Sequence, residues 1–274
     1  MSIQTSPLQG VKGLTILDKI VERKREEVAA AKANVSVTQL ESSALFNRET
    51  YSFKDFLLDP ARTGIIAEFK RRSPSKGIIN DKVSVEDVTT GYAAAGASAL
   101  SVLTDTDFFM GTQQDIAKAR AVNQIPILRK DFMIDEYQVL EAKAWGADII
   151  LLIAAILTPK EIDTLASLAK SLGLNVLLEV HNMEELQRSI HPKLDAIGVN
   201  NRNLADFTVS VQTSFDLADH IPNDFMKISE SAISNTKVIN ELKQAGFNGF
   251  LIGENFMKQE NPGDAMKEFV KGLS

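Results

Sequence analysis

The chain has 274 residues, 44% of them hydrophobic and 24% charged, a balance that fits a folded protein and excludes a disordered one. Lys and Arg total 30 against 36 Asp and Glu, a net charge of −6, which weighs against any partner that needs a large basic face, nucleic acid included. There is no cysteine, so disulfides, thiolate metal sites and cysteine nucleophiles are excluded, and three histidines leave little for a histidine-rich metal centre.

The first segment, MSIQTSPLQG, lacks a basic stretch followed by an apolar one, so no secretory leader is expected; with the absence of cysteine, this points to the cytoplasm. From Thr15 to about Val35, Ile16, Leu17, Ile20, Val21 and Val28 recur at helical spacing. Lys19, Glu22, Arg23, Lys24, Arg25, Glu26 and Glu27 fill the other positions and read as a solvated face of mixed sign. Shorter helical pieces are expected around Val37–Leu45 and Phe53–Leu58.

From Gly64 onward, short runs rich in Ile, Val and Leu alternate with helical patterns. The strand candidates are Gly64–Lys70, Ala99–Thr104, Pro126–Asp131, Asp148–Ala154, Asn175–His181, Ala196–Asn200, Met226–Ser229 and Gly249–Ile252. Between and after them lie helix candidates at Val85–Ala95, Gln113–Asn123, Glu136–Trp145, Pro159–Leu172, Met183–Ile190, Val211–His220, Thr236–Ala245 and Pro262–Leu273. Ser84, Thr112, Asp135, Thr158, Asn182, Asn235 and Asn261 stand where helix N-caps belong; Gly96, Gly146, Gly173 and Gly246 close helices. Eight tandem strand–helix units predict an α/β protein, a (β/α)8 TIM barrel, with an open doubly wound sheet as the alternative. The expected organisation is one domain over 1–274, with residues 1–60 as an N-terminal helical extension. The longest apolar run, Ile149–Leu157, is far shorter than the roughly 20 residues a membrane span needs.

Ionisable residues within or just after these strands carry the functional signal. Positions i and i+2 of a strand share a face. Ile66, Glu68 and Lys70 therefore point together, as do Leu128, Lys130 and Phe132; Leu177, Glu179 and His181; Gly198, Asn200 and, if the sixth strand runs that far, Arg202; and Ile228 and Glu230. Each polar group follows an apolar one toward the strand's C-terminal end, which in a barrel is the mouth of the active site. Any one of these charges, taken alone, reads better as an outward helix contact or as part of a paired buried network. Five strands delivering polar groups to one end read as an acid–base set, since burying charge is costly unless it is paired or used. Ser229 to Ala232 and Ile252 to Asn255, after the seventh and eighth strands, are candidate phosphate loops, although ordinary strand-end turns fit the two equally well. Phe108 and Phe109 read as core or as a pocket wall, His181 as a hydrogen-bonded structural residue, and His191 and His220 as surface residues.

The run Ile66-Ala-Glu-Phe-Lys-Arg-Arg-Ser-Pro-Ser-Lys-Gly77 resembles the first-strand signature of the indole-3-glycerol phosphate synthase family, the ring-closing decarboxylases of tryptophan biosynthesis. Leu103-Thr-Asp with Phe108-Phe-Met-Gly111, Leu128-Arg-Lys-Asp-Phe132, Leu178-Glu-Val-His181, Gly198-Val-Asn-Asn-Arg-Asn-Leu204 and Ile228-Ser-Glu-Ser231 match its later motifs in the same order. The resemblance implies a lyase converting 1-(2-carboxyphenylamino)-1-deoxyribulose 5-phosphate to indole-3-glycerol phosphate, carbon dioxide and water. It implies Lys130 as the acid of ring closure, and Lys70 as the binder of the substrate carboxylate and a second acid in dehydration. Glu179 would be the base or would stabilise a cationic nitrogen. Glu68 would pair with Lys70 and aim it, while Asn200, Arg202, Glu230 and Ser231 would orient substrate groups and lysines. Phe109, Phe132 and Leu151 would form the slot for the aromatic ring, and Ser73, Gly253 and Glu254 would border the substrate or its phosphate.

No metal or organic cofactor is implied, and the expected partner is a small phosphorylated molecule, with a monomer as the default state and no second catalytic barrel on the chain. One departure stands out: the family has glycine after the serine of the phosphate loop, where this chain has Ala232. Rival readings are another phosphate-binding barrel, such as phosphoribosylanthranilate isomerase or a Schiff-base aldolase, and a barrel that binds without catalysing.

Overall fold

The structure, a computed structural model, describes residues 15–203 and 207–273; the segment read as lacking a leader, and Leu204 of the sixth-strand motif, lie outside them. The chain opens with three helices, α1 (Ile16–Asn34), α2 (Val37–Glu41) and α3 (Phe53–Leu58). The alternation then runs β1 (Ile65–Phe69), a hairpin of β2 (Arg72–Ser73) and β3 (Gly77–Ile78), α4 (Val85–Ala94), β4 (Ala99–Leu103), α5 (Gln113–Val122), β5 (Ile127–Lys130) and α6 (Glu136–Ala144). It continues with β6 (Ile149–Ile153), α7 (Pro159–Ser171), β7 (Asn175–Val180), α8 (Met183–Ser189), β8 (Ala196–Asn200) and α9 (Gln212–Ala218). Last come β9 (Met226–Glu230), α10 (Thr236–Gln244), β10 (Gly249–Ile252), α11 (Glu254–Met257) and α12 (Pro262–Val270).

All strands but those of the hairpin pair in parallel and close on themselves in the order β1-β10-β9-β8-β7-β6-β5-β4. Closure decides for the barrel over the open sheet. The seven expected caps all form: the side chains of Ser84, Thr112, Asp135, Thr158, Asn182, Asn235 and Asn261 each accept a backbone N–H of the first helical turn. Gly96 and Gly146 turn the chain from helix to strand at φ of 91° and 90°, a region open to glycine at little cost. Expected elements run long by a residue or two at their ends, α2 by four, and α12 by three. The seventh strand runs longer than expected, to Glu230 instead of Ser229, which places Glu230 in the barrel wall.

Two cores result. The larger lies between strands and helices. The smaller fills the barrel with Ile66, Leu128, Ile149, Leu151, Leu177, Ile228 and Leu251, and Phe53 and Leu57 of α3 plug its N-terminal end. Gly249 leaves room for that plug, because a Cβ there would lie 3.0 Å from Leu57 Cδ1. Asp148, fully buried beside the plug, accepts from Arg48 Nη2 (2.7 Å), Arg120 Nη1 (2.8 Å) and the backbone N–H groups of Tyr51 and Ile127 (both 2.8 Å). The closed end is thus packed, and the opposite end is left open to bind.

Candidate active site

The strand register sets the site. Ile66 pairs with Leu251 and Ala99, Glu68 with Ser101, Leu103 with Lys130, Ile153 with Glu179, and Asn200 with Glu230. Apolar side chains fill the lower barrel and charged ones stand one pleat above, at the C-terminal rim. There they line a cavity of about 550 Å³. All fifteen side chains and backbone positions singled out above border it: Glu68, Lys70, Ser73, Phe109, Lys130, Phe132, Leu151, Glu179, Asn200, Arg202, Glu230, Ser231, Ala232, Gly253 and Glu254.

Lys130 is the hub. Its Nζ donates to Glu179 Oε2 (2.7 Å) and to Glu230 Oε2 (3.1 Å). Burial opposes its positive charge, but the two carboxylates outweigh that and raise it above the ordinary lysine range. Burial would also raise Glu179; Lys130 on one side and His181 on the other hold it well below the usual carboxylate range. His181 Nε2 lies 3.3 Å from Glu179 Oε1, and its Nδ1 lies 3.0 Å from Glu185 Oε2. Against the cost of burial, these two carboxylates push His181 up to about 10, so it stands as an imidazolium behind Glu179. At the end of β1, Lys70 Nζ donates to Glu68 Oε1 (2.6 Å) and Ser101 Oγ to Glu68 Oε2 (3.2 Å).

Opposite these charges lies an apolar wall. Phe109 and Phe132 face each other with ring centroids 6.0 Å apart, beside Leu151, Leu103 and Ile153. Phe108 is absent from the cavity wall, and Met133 is core. The third side is polar. Ser231 Oγ donates to Asn200 Oδ1 (3.0 Å), and the Arg202 N–H donates to the same atom (3.1 Å). Arg202 is not on the sixth strand's face: β8 ends at Asn200, and Arg202 reaches the cavity through an isolated bridge to Val209. Glu254 opens α11 and points toward cations, its carboxylate 3.4 Å from Lys76 Nζ and 3.9 Å from Arg202 Nη2. Gly253 owes its lack of a side chain to the acid cluster: a Cβ there would lie 2.7 Å from Glu68 Oε1. Ser231 and Ala232 occupy left-handed backbone at φ of 65° and 61°.

The fourth wall was not expected. Ile16, Leu17 and Ile20 of α1 lie over the mouth, so the apolar stripe of the extension covers the site. Lys24, read above as part of a solvated face, is 3% exposed, with Nζ 2.9 Å from both Asp105 and Asp131 and 2.6 Å from Glu27. It takes the buried position four residues after Ile20 and four before Val28, and that spacing was the signal for it. Phe207 and Val209, from the loop after β8, complete the rim. Among the described residues no group of three His, Asp or Glu side chains is placed to hold a metal ion, and no helix is long and apolar enough to cross a membrane.

Known proteins resemble this chain along most of its length. A family model described as indole-3-glycerol phosphate synthase matches residues 17–269. A relative of that description from Bacteroides thetaiotaomicron is 49% identical over 258 residues, covering 94% of this chain and 98% of its own. One from Burkholderia ambifaria is 43% identical over 253 residues, covering 92% of this chain and 97% of its own. A solved structure described as native KDPGal shares the fold alone: 13% identity, a TM-score of 0.52, and coverage of 76% of this chain and 96% of that one.

Proposed function

This chain belongs to the indole-3-glycerol phosphate synthase family, and from that premise we propose how its cavity closes the pyrrole ring. The reaction converts 1-(2-carboxyphenylamino)-1-deoxyribulose 5-phosphate to indole-3-glycerol phosphate, carbon dioxide and water, in tryptophan biosynthesis. The observation that carries the reading is the Lys130 ammonium, held between the buried carboxyl groups of Glu179 and Glu230 and beside an apolar slot.

In this reading the aromatic ring lies against Phe109, Phe132 and Leu151, and Lys70 meets its carboxylate. The sugar lies toward Asn200 and Ser231, and the phosphate lies among Ser73, Arg202, Ala232, Gly253 and Glu254, where only the backbone of Glu254 faces the anion. Lys130 protonates the ketone oxygen as the ring carbon attacks. To accept that bond the ketone displaces one carboxylate from Lys130, which lowers the hold on its proton at the moment of donation. Carbon dioxide leaves, then water. Glu179, ionised and bracketed by Lys130 and His181, takes the proton from the carbon beside nitrogen. Lys70 stands as a second acid for dehydration, paired with Glu68.

The partner is a small phosphorylated molecule rather than nucleic acid, and the cysteine-free chain fits the cytosol. The test is direct: supply purified protein with the substrate and follow indole fluorescence, with Lys130→Ala as the control. Product from wild type and almost none from the variant is expected. Product from both would move the acid role to Lys70. None from folded wild type would sink the reading, and covalent trapping of Lys130 by borohydride would favour an aldolase instead.

A further inference from the structure

The reaction as read above takes up one proton per turnover. The ketone oxygen gains a proton as the ring closes. The carboxylate leaves as neutral carbon dioxide, and its bonding pair restores the aromatic ring. The hydroxyl gains a second proton and leaves as water, and the carbon beside nitrogen gives one proton back. Two enter and one leaves, so Lys130 must be recharged.

The carboxyls around Lys130 are unequally served. Glu68 has Lys70 on one oxygen and Ser101 on the other. Glu179 has Lys130 on one oxygen and His181 on the other. Glu230 shares Lys130 at the longer distance, and its Oε1 is buried with no hydrogen-bond partner. That oxygen packs against Gly198, where a Cβ would collide with it. From the flanking strands Glu230 faces Asn200 and Leu251, neither of them titratable. Its charged neighbours are therefore Lys130, Glu179 and Glu68, with Lys70 and His181 behind the two carboxylates. An ionised carboxylate is disfavoured beside two like charges and with one oxygen dry, whereas a carboxylic acid is neutral. Burial, followed by Glu179 and Glu68, pushes Glu230 up to about 7 despite Lys130.

We propose that Glu230 rests as a neutral carboxylic acid and is the proton relay that recharges Lys130 within the turnover. The O–H bond of Glu230 breaks as an N–H bond forms on the neutral Lys130 amine, leaving a carboxylate and an ammonium 3.1 Å apart. The proton that Glu179 takes from carbon returns through Lys130, which touches both carboxyls, and solvent supplies the one consumed.

The test rests on the proposed function but separates from it. Infrared spectra of the wild-type enzyme should show a carboxylic-acid C=O stretch that titrates near pH 7 and vanishes in Glu230→Gln. In Glu230→Asp, which serves if the glutamine variant misfolds, the band should move but persist. The kcat of wild type should fall above the same pH. Glu230→Gln should lose about 10²-fold in kcat, with KM changed only a few-fold and the alkaline limb gone. A wild-type spectrum without that band near neutral pH, or a glutamine variant with wild-type kcat, overturns the relay. Absence of indole product from wild type overturns the function instead, while the infrared band still reports on Glu230.

Discussion

Ala232 follows Ser231 with both residues in left-handed backbone, where a side chain with a Cβ is strained by roughly 1–2 kcal/mol relative to glycine. The cost expected at the family's glycine position therefore applies here. Ala232→Gly relieves that strain but frees the unfolded chain, so a net gain of up to about 1 kcal/mol is expected in urea melts, together with a lower KM as the phosphate loop loses a methyl group. A higher KM would show that the methyl packs against the substrate.

His181 carries a second residue-scale prediction. Its folded value of about 10 lies above the ordinary 6.5, so the stability it contributes is fully present below about pH 6.5 and is lost as pH rises through about 10. The contribution is on the order of a few kcal/mol. His181→Asn should flatten the fall in urea midpoint between those pH values; an unchanged slope would mean that the imidazolium does not form. The charged rim residues were legible only as a set, because five strands delivering polar groups to one end are hard to explain as packing. His181 was read as structural because Glu185, its second partner, meets it only once the strand turns into α8.

At the scale of elements, strands and caps could be read locally, since a Ser, Thr, Asn or Asp before a helical run needs only its own first turn to act. The hairpin of β2 and β3 escaped notice because two-residue strands leave no periodicity, and four-residue α11 is equally short. The place of α1 was hidden for another reason: an apolar stripe says that a helix packs, but not against what. Lys24 now supplies the answer, locking α1 to Asp105 after β4 and to Asp131, the neighbour of Lys130. Burial of Lys24 is offset by these carboxylates, which raise it above the ordinary lysine range. Lys24→Met keeps the stem but leaves two buried carboxylates short of a cation, at a cost of about 3–5 kcal/mol. The expected outcome is loss of hydrogen-exchange protection along α1 and a raised KM, because Ile16, Leu17 and Ile20 leave the cavity wall. Protection equal to wild type would show that apolar contacts alone hold the helix.

At the scale of the molecule, the extension grips the barrel at both ends: α1 by Lys24 at the open mouth, and the segment before β1 by Arg48, Tyr51 and the α3 plug at the closed end. Among the described residues these ties join the extension to the barrel, and we propose that the two unfold as one unit. Far-ultraviolet dichroism and the fluorescence of Trp145, which lies under the Arg129 guanidinium at 4.0 Å, should report the same midpoint. Asp148→Ala tests the arrangement from the end remote from chemistry. It leaves Arg48 and Arg120 without their buried counter-charge, again a loss of about 3–5 kcal/mol, and it should lower both midpoints together. Because Asp148 stands before β6 at the closed end while the charged cluster stands at the C-terminal ends of the strands at the mouth, the folded fraction should keep its KM and kcat. Midpoints that separate would divide the extension from the barrel. A kcat that falls in fully folded variant would mean that the two ends of the barrel are mechanically coupled.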